Sequence, residues 1–168
     1  MAKQIWKAQR TLLIVGEGSH EEAFLRHVKS VFVTRRCGLR VKITNAKGKG
    51  ARHVIDFTIR LSNNVAYDNV AALFDTDQDC TDKVKALAQS NNITMLKSVP
   101  CLEVMLLHAL NLDCKGNSKA LKNRLAKQLT GDAGESTSYA RCFTRDFFEK
   151  TNEPTLLELI QLLSPSTK

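Results

Sequence analysis

The chain has 168 residues, of which 43% are hydrophobic and 25% are charged, a size and composition that suit one folded domain with a hydrophobic core. No apolar run approaches the ~20 residues of a transmembrane helix, and the first residues lack the apolar segment of a signal peptide, so we predict a cytoplasmic protein without a membrane span. The five cysteines form no Cys-x-x-Cys pair, which argues against a disulfide framework or a zinc site. The formal net charge of +8 predicts a polyanionic partner.

Short apolar runs alternate with amphipathic segments in the first part of the chain. We predict strands over residues 11–15, 39–44, 70–74 and 93–97, with a helix after each of the first three. The first helix begins at Ser19, because Ser19 and Glu22 have the spacing of a capping box. This alternation is typical of a parallel sheet that helices cover on both faces.

The pattern changes after Pro100, where helical periodicity replaces the alternation. We predict helices over residues 102–110, 119–129, 139–149 and 155–163. The sequence therefore predicts an α/β fold with a parallel sheet of about four strands and a C-terminal helical layer. We expect residues 1–168 to form a single domain, with a core over about 11–110 and a helical extension over about 111–163.

Acidic residues follow two of the predicted strands directly. Glu17 comes after the first strand, and Asp75 and Asp77 come after the third, with the alternation that lets two side chains converge in an extended backbone. Ligands of parallel α/β sheets bind at the carboxyl ends of the strands. Two carboxylates ~5 Å apart repel by roughly 3 kcal/mol at an effective dielectric constant of ~20, so such a site favours a proton or a cation. Oxygen ligands of this kind predict Mg²⁺ or Mn²⁺.

The sequence does not match the motifs of three other kinds of site, which bind dinucleotides, calcium or zinc. Gly16 and Gly18 match the first two glycines of the dinucleotide-binding motif Gly-x-Gly-x-x-Gly, but Glu21 occupies the position of the third glycine. The acidic run from Asp75 lacks the glycine and the final glutamate of an EF-hand. The four histidines have no metal-ligand spacing and are interpreted as surface, boundary or core residues.

Basic residues are concentrated in two blocks. Residues 35–60 contain eight lysines and arginines against one acid, and residues 114–131 contain five against none. We favour phosphate contact over a merely solvated surface for these blocks, without sequence readout. The candidate nucleic-acid-binding residues are Arg35, Arg36, Arg40, Lys47, Lys49, Arg52, Lys119 and Lys122.

Three motifs in the right order resemble a known family. Residues 14–24, Ile-Val-Gly-Glu-Gly-Ser-His-Glu-Glu-Ala-Phe, resemble the first motif of the TOPRIM fold, and residues 73–77, Leu-Phe-Asp-Thr-Asp, resemble its second. Residues 98–108 are similar to a Ser-Asn-Pro-x-Phe-Glu-x-Trp-x-Leu-x-His block of RloB-like proteins. Ser98, Pro100 and Glu103 match this block in register, whereas Val99, Leu102 and Met105 depart from it and His108 falls one position early.

The resemblance implies a role for each matching residue. Glu17 is implied as general acid or base or as a metal ligand, and Asp75 and Asp77 as the metal-binding pair. Glu22 matches a second acidic position of the first motif, and Glu103 is a further catalytic candidate, although a first-turn glutamate that only favours the helix dipole is an equal alternative. The implied activity is a Mg²⁺-dependent nuclease in phage defence, acting on RNA, including tRNA, or on DNA.

Two other function classes remain open at this point. A nucleic-acid-binding or regulatory subunit with a degenerate site would keep the basic blocks yet tolerate loss of Asp75 or Asp77. A phosphotransferase of the haloacid-dehalogenase type ranks last, because that class carries its Asp-x-Asp motif on the first strand. The resemblance also leaves room for an ATPase partner protein and for a homo-oligomer.

Overall fold

The computed structural model describes residues 10–76 and 80–164, so the predicted metal ligand Asp77 lies outside the described residues. Four parallel strands form one sheet in the spatial order β2-β1-β3-β4. The strands are β1 (Arg10–Gly16), β2 (Leu39–Asn45), β3 (Asn69–Asp75) and β4 (Ile93–Ser98). The predicted α/β fold with a parallel sheet of about four strands is thereby confirmed.

Helices follow the strands and then continue alone to the end of the described chain. They are α1 (Ser19–Phe32), α2 (Gly50–Asn64), α3 (Asp82–Ser90), α4 (Leu102–Ala109), α5 (Ser118–Ala126), a short 3₁₀ helix (Ser136–Tyr139), α6 (Arg145–Lys150) and α7 (Pro154–Leu163). Among the described residues, no helix has the length and apolar character needed to cross a membrane.

One predicted helix is wrong. Residues 139–149 were expected to be continuous, but the 3₁₀ helix ends at Tyr139 and α6 begins only at Arg145. Thr144 has an extended backbone, and its hydroxyl accepts a hydrogen bond from the N–H of Phe147 at 3.2 Å. Thr144 therefore caps α6 at a position that the sequence pattern places in the middle of one helix over residues 139–149.

The sheet is buried on both faces, which explains why its strands are almost wholly apolar. Leu12 and Ile14 of β1 belong to a core cluster that includes α1, α4 and the C-terminal helices. Leu13 and Val15 point the other way, into a smaller cluster with α2 and α3. The larger cluster joins residues from both the predicted core and the predicted extension.

An aromatic cluster lies between α1 and the C-terminal helices. The ring of Phe24 is 5.5 Å from Tyr139, 5.6 Å from Phe143 and 6.4 Å from Phe148, measured between centroids. His27 lies one turn further along α1, and its Nε2 is 2.7 Å from the carbonyl oxygen of Phe143. Burial lowers the pKa of His27, so the neutral ring is favoured in the fold.

The two edges of the sheet are covered by side chains. On β2, the carbonyl oxygens of Val41 and Ile43 accept hydrogen bonds from Lys29 Nζ at 2.9 Å and from Arg26 Nη2 at 3.3 Å. On β4, the carbonyl of Lys97 accepts one from the hydroxyl of Thr155 at 2.8 Å, where α7 packs beside the strand.

Candidate active site

A cavity of about 600 Å³ lies at the carboxyl ends of β1 and β3, the two central strands. The N–H of Glu17 donates to the carbonyl of Leu73 at 2.9 Å, which continues the pairing of the two strands into the site. Residues from the starts of α1 and α4 and from α5 complete the walls. Among the described residues, four carboxylates line the cavity, namely Glu17, Glu21, Asp75 and Glu103.

Glu17 is held between a helix start and a strand end. Its Oε1 accepts a hydrogen bond from the N–H of Gly50, the first residue of α2, at 3.2 Å. Its Oε2 accepts one from the N–H of Asp75 at 3.1 Å. The structure therefore brings Glu17 and Asp75 together, as expected from two strands that end at the same edge.

Asp75 is held in the same way by the start of α4. Its Oδ1 accepts hydrogen bonds from the Ser98 hydroxyl at 2.8 Å and from the N–H of Leu102, the first residue of α4, at 3.1 Å. Backbone N–H groups at a helix start favour negative charge, because they lack partners within the helix and carry the positive end of its dipole. The two central carboxylates are thus each anchored by a different helix.

Glu21, which the sequence analysis did not select, also lies in the cavity. Helix α1 begins with Gly18 as its N-cap, and Glu21 Oε2 accepts a hydrogen bond from the N–H of Gly18 at 2.8 Å. The predicted box of Ser19 and Glu22 is therefore wrong by one residue. Gly16 permits this close turn, since a Cβ there would lie 2.9 Å from the Cβ of Glu21.

Glu22 is not brought to the cavity lining. Its Oε1 is 2.6 Å from Arg26 Nη2, and its other oxygen accepts a hydrogen bond from Asn45 at the end of β2. Glu103 does line the cavity, with only 8% of its surface exposed. Its Oε1 is 3.8 Å from Nδ1 of His20, a residue that the sequence analysis interpreted as surface or boundary.

Burial, together with the neighbouring carboxylates, raises the pKa of two acidic side chains in the cavity. The pKa of Asp75 is raised to about 7, chiefly by burial and in addition by the charges of Glu21 and Glu17, against the opposing hydrogen bonds from Ser98 and Leu102. Burial also raises the pKa of Glu21. The thiol of Cys101 in the cavity wall has a pKa raised to about 11, again chiefly by burial, so it is not a thiolate nucleophile at neutral pH.

The donor chemistry of this cavity suits a hard divalent cation. Glu17 and Asp75 offer carboxylate oxygens, and a bound cation would offset the cost of ionising Asp75, whose pKa is raised chiefly by burial and in addition by Glu21 and Glu17. Mg²⁺ needs only one or two protein carboxylates, because it keeps water and substrate phosphate in its shell. Within residues 10–76 and 80–164, no three His, Cys, Asp or Glu side chains are grouped to hold a metal by themselves.

The eight predicted nucleic-acid-binding residues are all exposed. Lys122 of α5 lines the cavity, and Lys47 and Lys49 flank Gly48, which lines it at another point. The loop 47–50 has positive φ at every residue and is tied to Glu17, whose carbonyl accepts from the N–H of Gly48 at 2.8 Å. The remaining five, Arg35, Arg36, Arg40, Arg52 and Lys119, are not part of the described lining.

Sequence comparison identifies the family. Residues 12–158, most of the chain, match the family model described as RloB-like protein. Comparisons with curated proteins and with solved structures gave no significant match. This family is consistent with a TOPRIM-like, defence-associated protein. Because the match covers most of the chain and the three motifs fall within it, the chain belongs to the RloB-like protein family.

Proposed function

We propose that the protein is a Mg²⁺-dependent nuclease of the TOPRIM type, which hydrolyses phosphodiester bonds in RNA, including tRNA, or in DNA during phage defence. The observation that carries this proposal is a cavity lined, within the described part of the chain, by four carboxylates in a protein of net charge +8. An acidic cavity with basic residues at its rim suits a reaction on a polyanion that needs a cation at its centre.

In this proposal Glu17, Asp75 and Asp77 would hold the cation. When bound, the cation neutralises charge on the phosphate and lowers the pKa of a coordinated water. The N–H groups of Gly50 and Leu102 keep Glu17 and Asp75 fixed, so little reorganisation is needed when substrate arrives.

The basic residues would hold the nucleic-acid backbone across the cavity. Lys47 and Lys49 stand on the loop tied to Glu17, while Lys122 stands on α5 in the cavity lining. Contacts to phosphate hold nucleic acid without recognising its base sequence, and they weaken as the salt concentration rises. We further propose a cytoplasmic location and a homo-oligomer. On the family resemblance, we also propose an ATPase partner protein.

The test is incubation of purified protein with tRNA, other RNA, single-stranded DNA and duplex DNA, in Mg²⁺, Mn²⁺ or EDTA. We expect cation-dependent cleavage that Asp75→Asn reduces by at least about 10²-fold, since it loses a charge aimed at the reacting centre. Asp146→Asn is the matched control, because Asp146 is exposed and paired with Lys150 on α6. Cleavage that persists in EDTA or in Asp75→Asn would contradict the proposal.

A non-catalytic nucleic-acid-binding or regulatory subunit is the second candidate. The observation that favours it is that five of the eight predicted nucleic-acid-binding residues are exposed outside the described lining of the cavity. This function predicts salt-sensitive binding to nucleic acid that is the same in wild type and Asp75→Asn, with no cleavage in any cation. Filter binding over a salt series separates the two candidates.

A further inference from the structure

His20 differs from the other histidines in what surrounds its ring. His27 and His53 each have Nε2 within hydrogen-bond distance of a backbone carbonyl, at 2.7 Å from Phe143 and 3.0 Å from Ala46. His108 is exposed at the end of α4 and lines a different cavity. His20 alone of the four lines the described acidic cavity, and its side chain is 37% exposed there.

Glu103 gives the His20 ring an orientation. The two residues stand at the second positions of α1 and α4, and Nδ1 of His20 is 3.8 Å from Oε1 of Glu103, whose side chain is only 11% exposed. A buried carboxylate beside one ring nitrogen favours the proton on that nitrogen and leaves Nε2 to contact a ligand. At 3.8 Å the contact is an ion-pair distance and not a hydrogen bond, and contacts between catalytic groups often shorten to hydrogen bonds only when substrate is bound.

The other described titratable groups at the cavity either have another role or hold their proton too tightly. Glu17 and Asp75 are committed to backbone N–H groups and, in the proposed function, to the cation. Glu21 is tied to the N–H of Gly18, and the raised pKa of Cys101 holds its proton too tightly. Lys122 is the one basic side chain besides His20 in the described lining, and it is exposed on α5.

We propose that His20 is the catalytic proton donor to the leaving oxygen and that Glu103 is its positioning residue, an inference that rests on the proposed function. In this step the oxygen of a water molecule bonds to phosphorus and the bond from phosphorus to the leaving oxygen breaks. His20 enters the step as the imidazolium, with protons on Nδ1 and Nε2, and the Nε2 proton passes to the leaving oxygen. The proton that the water loses goes to solvent, and solvent reprotonates the ring before the next turnover.

The experiment compares oligonucleotides in which the scissile phosphate has ordinary oxygens with ones that carry sulfur at the 3′ or the 5′ bridging position. A thiolate leaves without a proton, so only the ordinary substrate needs the donor. We expect His20→Ala and His20→Gln to slow cleavage of the ordinary substrate by about 10²–10⁴-fold. Both His20 variants should cleave one of the two sulfur substrates, the one whose sulfur is the leaving atom, within a few-fold of the wild-type rate.

Glu103→Gln keeps an oxygen beside His20 but removes the charge, so we expect a smaller loss and a displaced pH profile for the ordinary substrate only. His108→Gln is the matched control. Equal losses on all three substrates in both His20 variants, in folded protein by circular dichroism, would overturn the proposal and leave the nuclease in place. If wild type cleaves none of the substrates, the proposed function fails and this inference fails with it.

Discussion

The two halves of α1 show how one helix serves two opposite purposes. Its first turn places His20 and Glu21 in the acidic cavity, where burial and, to a smaller extent, the charges of Glu103 and Glu17 raise the pKa of Glu21. Its later turns bury Phe24, His27 and Val28, and the first two of these contact the aromatic rings of the C-terminal helices. The aromatic half therefore stabilises the fold, whereas the acidic half belongs to a cavity whose ionisation costs stability, a cost that binding of a cation would offset.

The largest expected effect comes from the aromatic half. Phe24→Ala removes a buried ring that packs on three others, so we expect the free energy of unfolding to fall by about 3–5 kcal/mol. Urea denaturation measures this loss. Leu157→Ala is the control, because Leu157 is 47% exposed on α7. A loss no larger than that of the control would show that the aromatic cluster does not stabilise the fold.

The acidic cavity beside the first turn of α1 gives an effect of opposite sign, which depends on pH and is tested at Asp75 of β3. Asp75 has a pKa of about 7 in the fold against 3.8 in the unfolded chain, so its contribution is most favourable below pH 3.8 and is lost as the pH rises to 7. Asp75→Asn keeps an oxygen for Ser98 and Leu102 without the charge. We therefore expect this variant to be more stable than wild type at pH 8 by about 1–3 kcal/mol, and not at pH 4.

Denaturation in EDTA at several pH values measures that difference, and added Mg²⁺ should narrow it by stabilising wild type. Asp146→Asn provides the baseline for loss of an exposed charge. If Asp75→Asn is instead less stable than wild type at pH 8, the Asp75 carboxylate stabilises the start of α4. Ionisation in the acidic cavity would then not lower the free energy of unfolding.

The smallest effect is expected at Glu22, which stands between the two halves. Its ion pair with Arg26 is partly exposed, so Glu22→Gln should lower the free energy of unfolding by only about 0.5 kcal/mol. Because Glu21 lines the cavity and Glu22 does not, Glu21→Gln should reduce cleavage more than Glu22→Gln. The reverse order would support the role that family resemblance implies for Glu22.

Much of the fold and part of the site can be predicted from the sequence. Apolar runs that end in Glu17 and Asp75 predict both the parallel sheet and the edge at which these carboxylates meet. His20 and Glu21 cannot be placed in this way, because their positions depend on Gly18 rather than Ser19 capping α1. Nor does helical periodicity show that α5 packs over the cavity, since that is decided by tertiary contacts with α4.

The side chains that cover the edge of β2 have a consequence for assembly. Lys29 and Arg26 occupy carbonyl oxygens that an added strand would need for its own hydrogen bonds. An incoming strand would have to displace both and leave their charges beside its backbone. Edges protected by cations in this manner resist pairing with a neighbouring chain. Self-association by extending the sheet, including the route to cross-β aggregates, is thereby disfavoured at this side of the molecule.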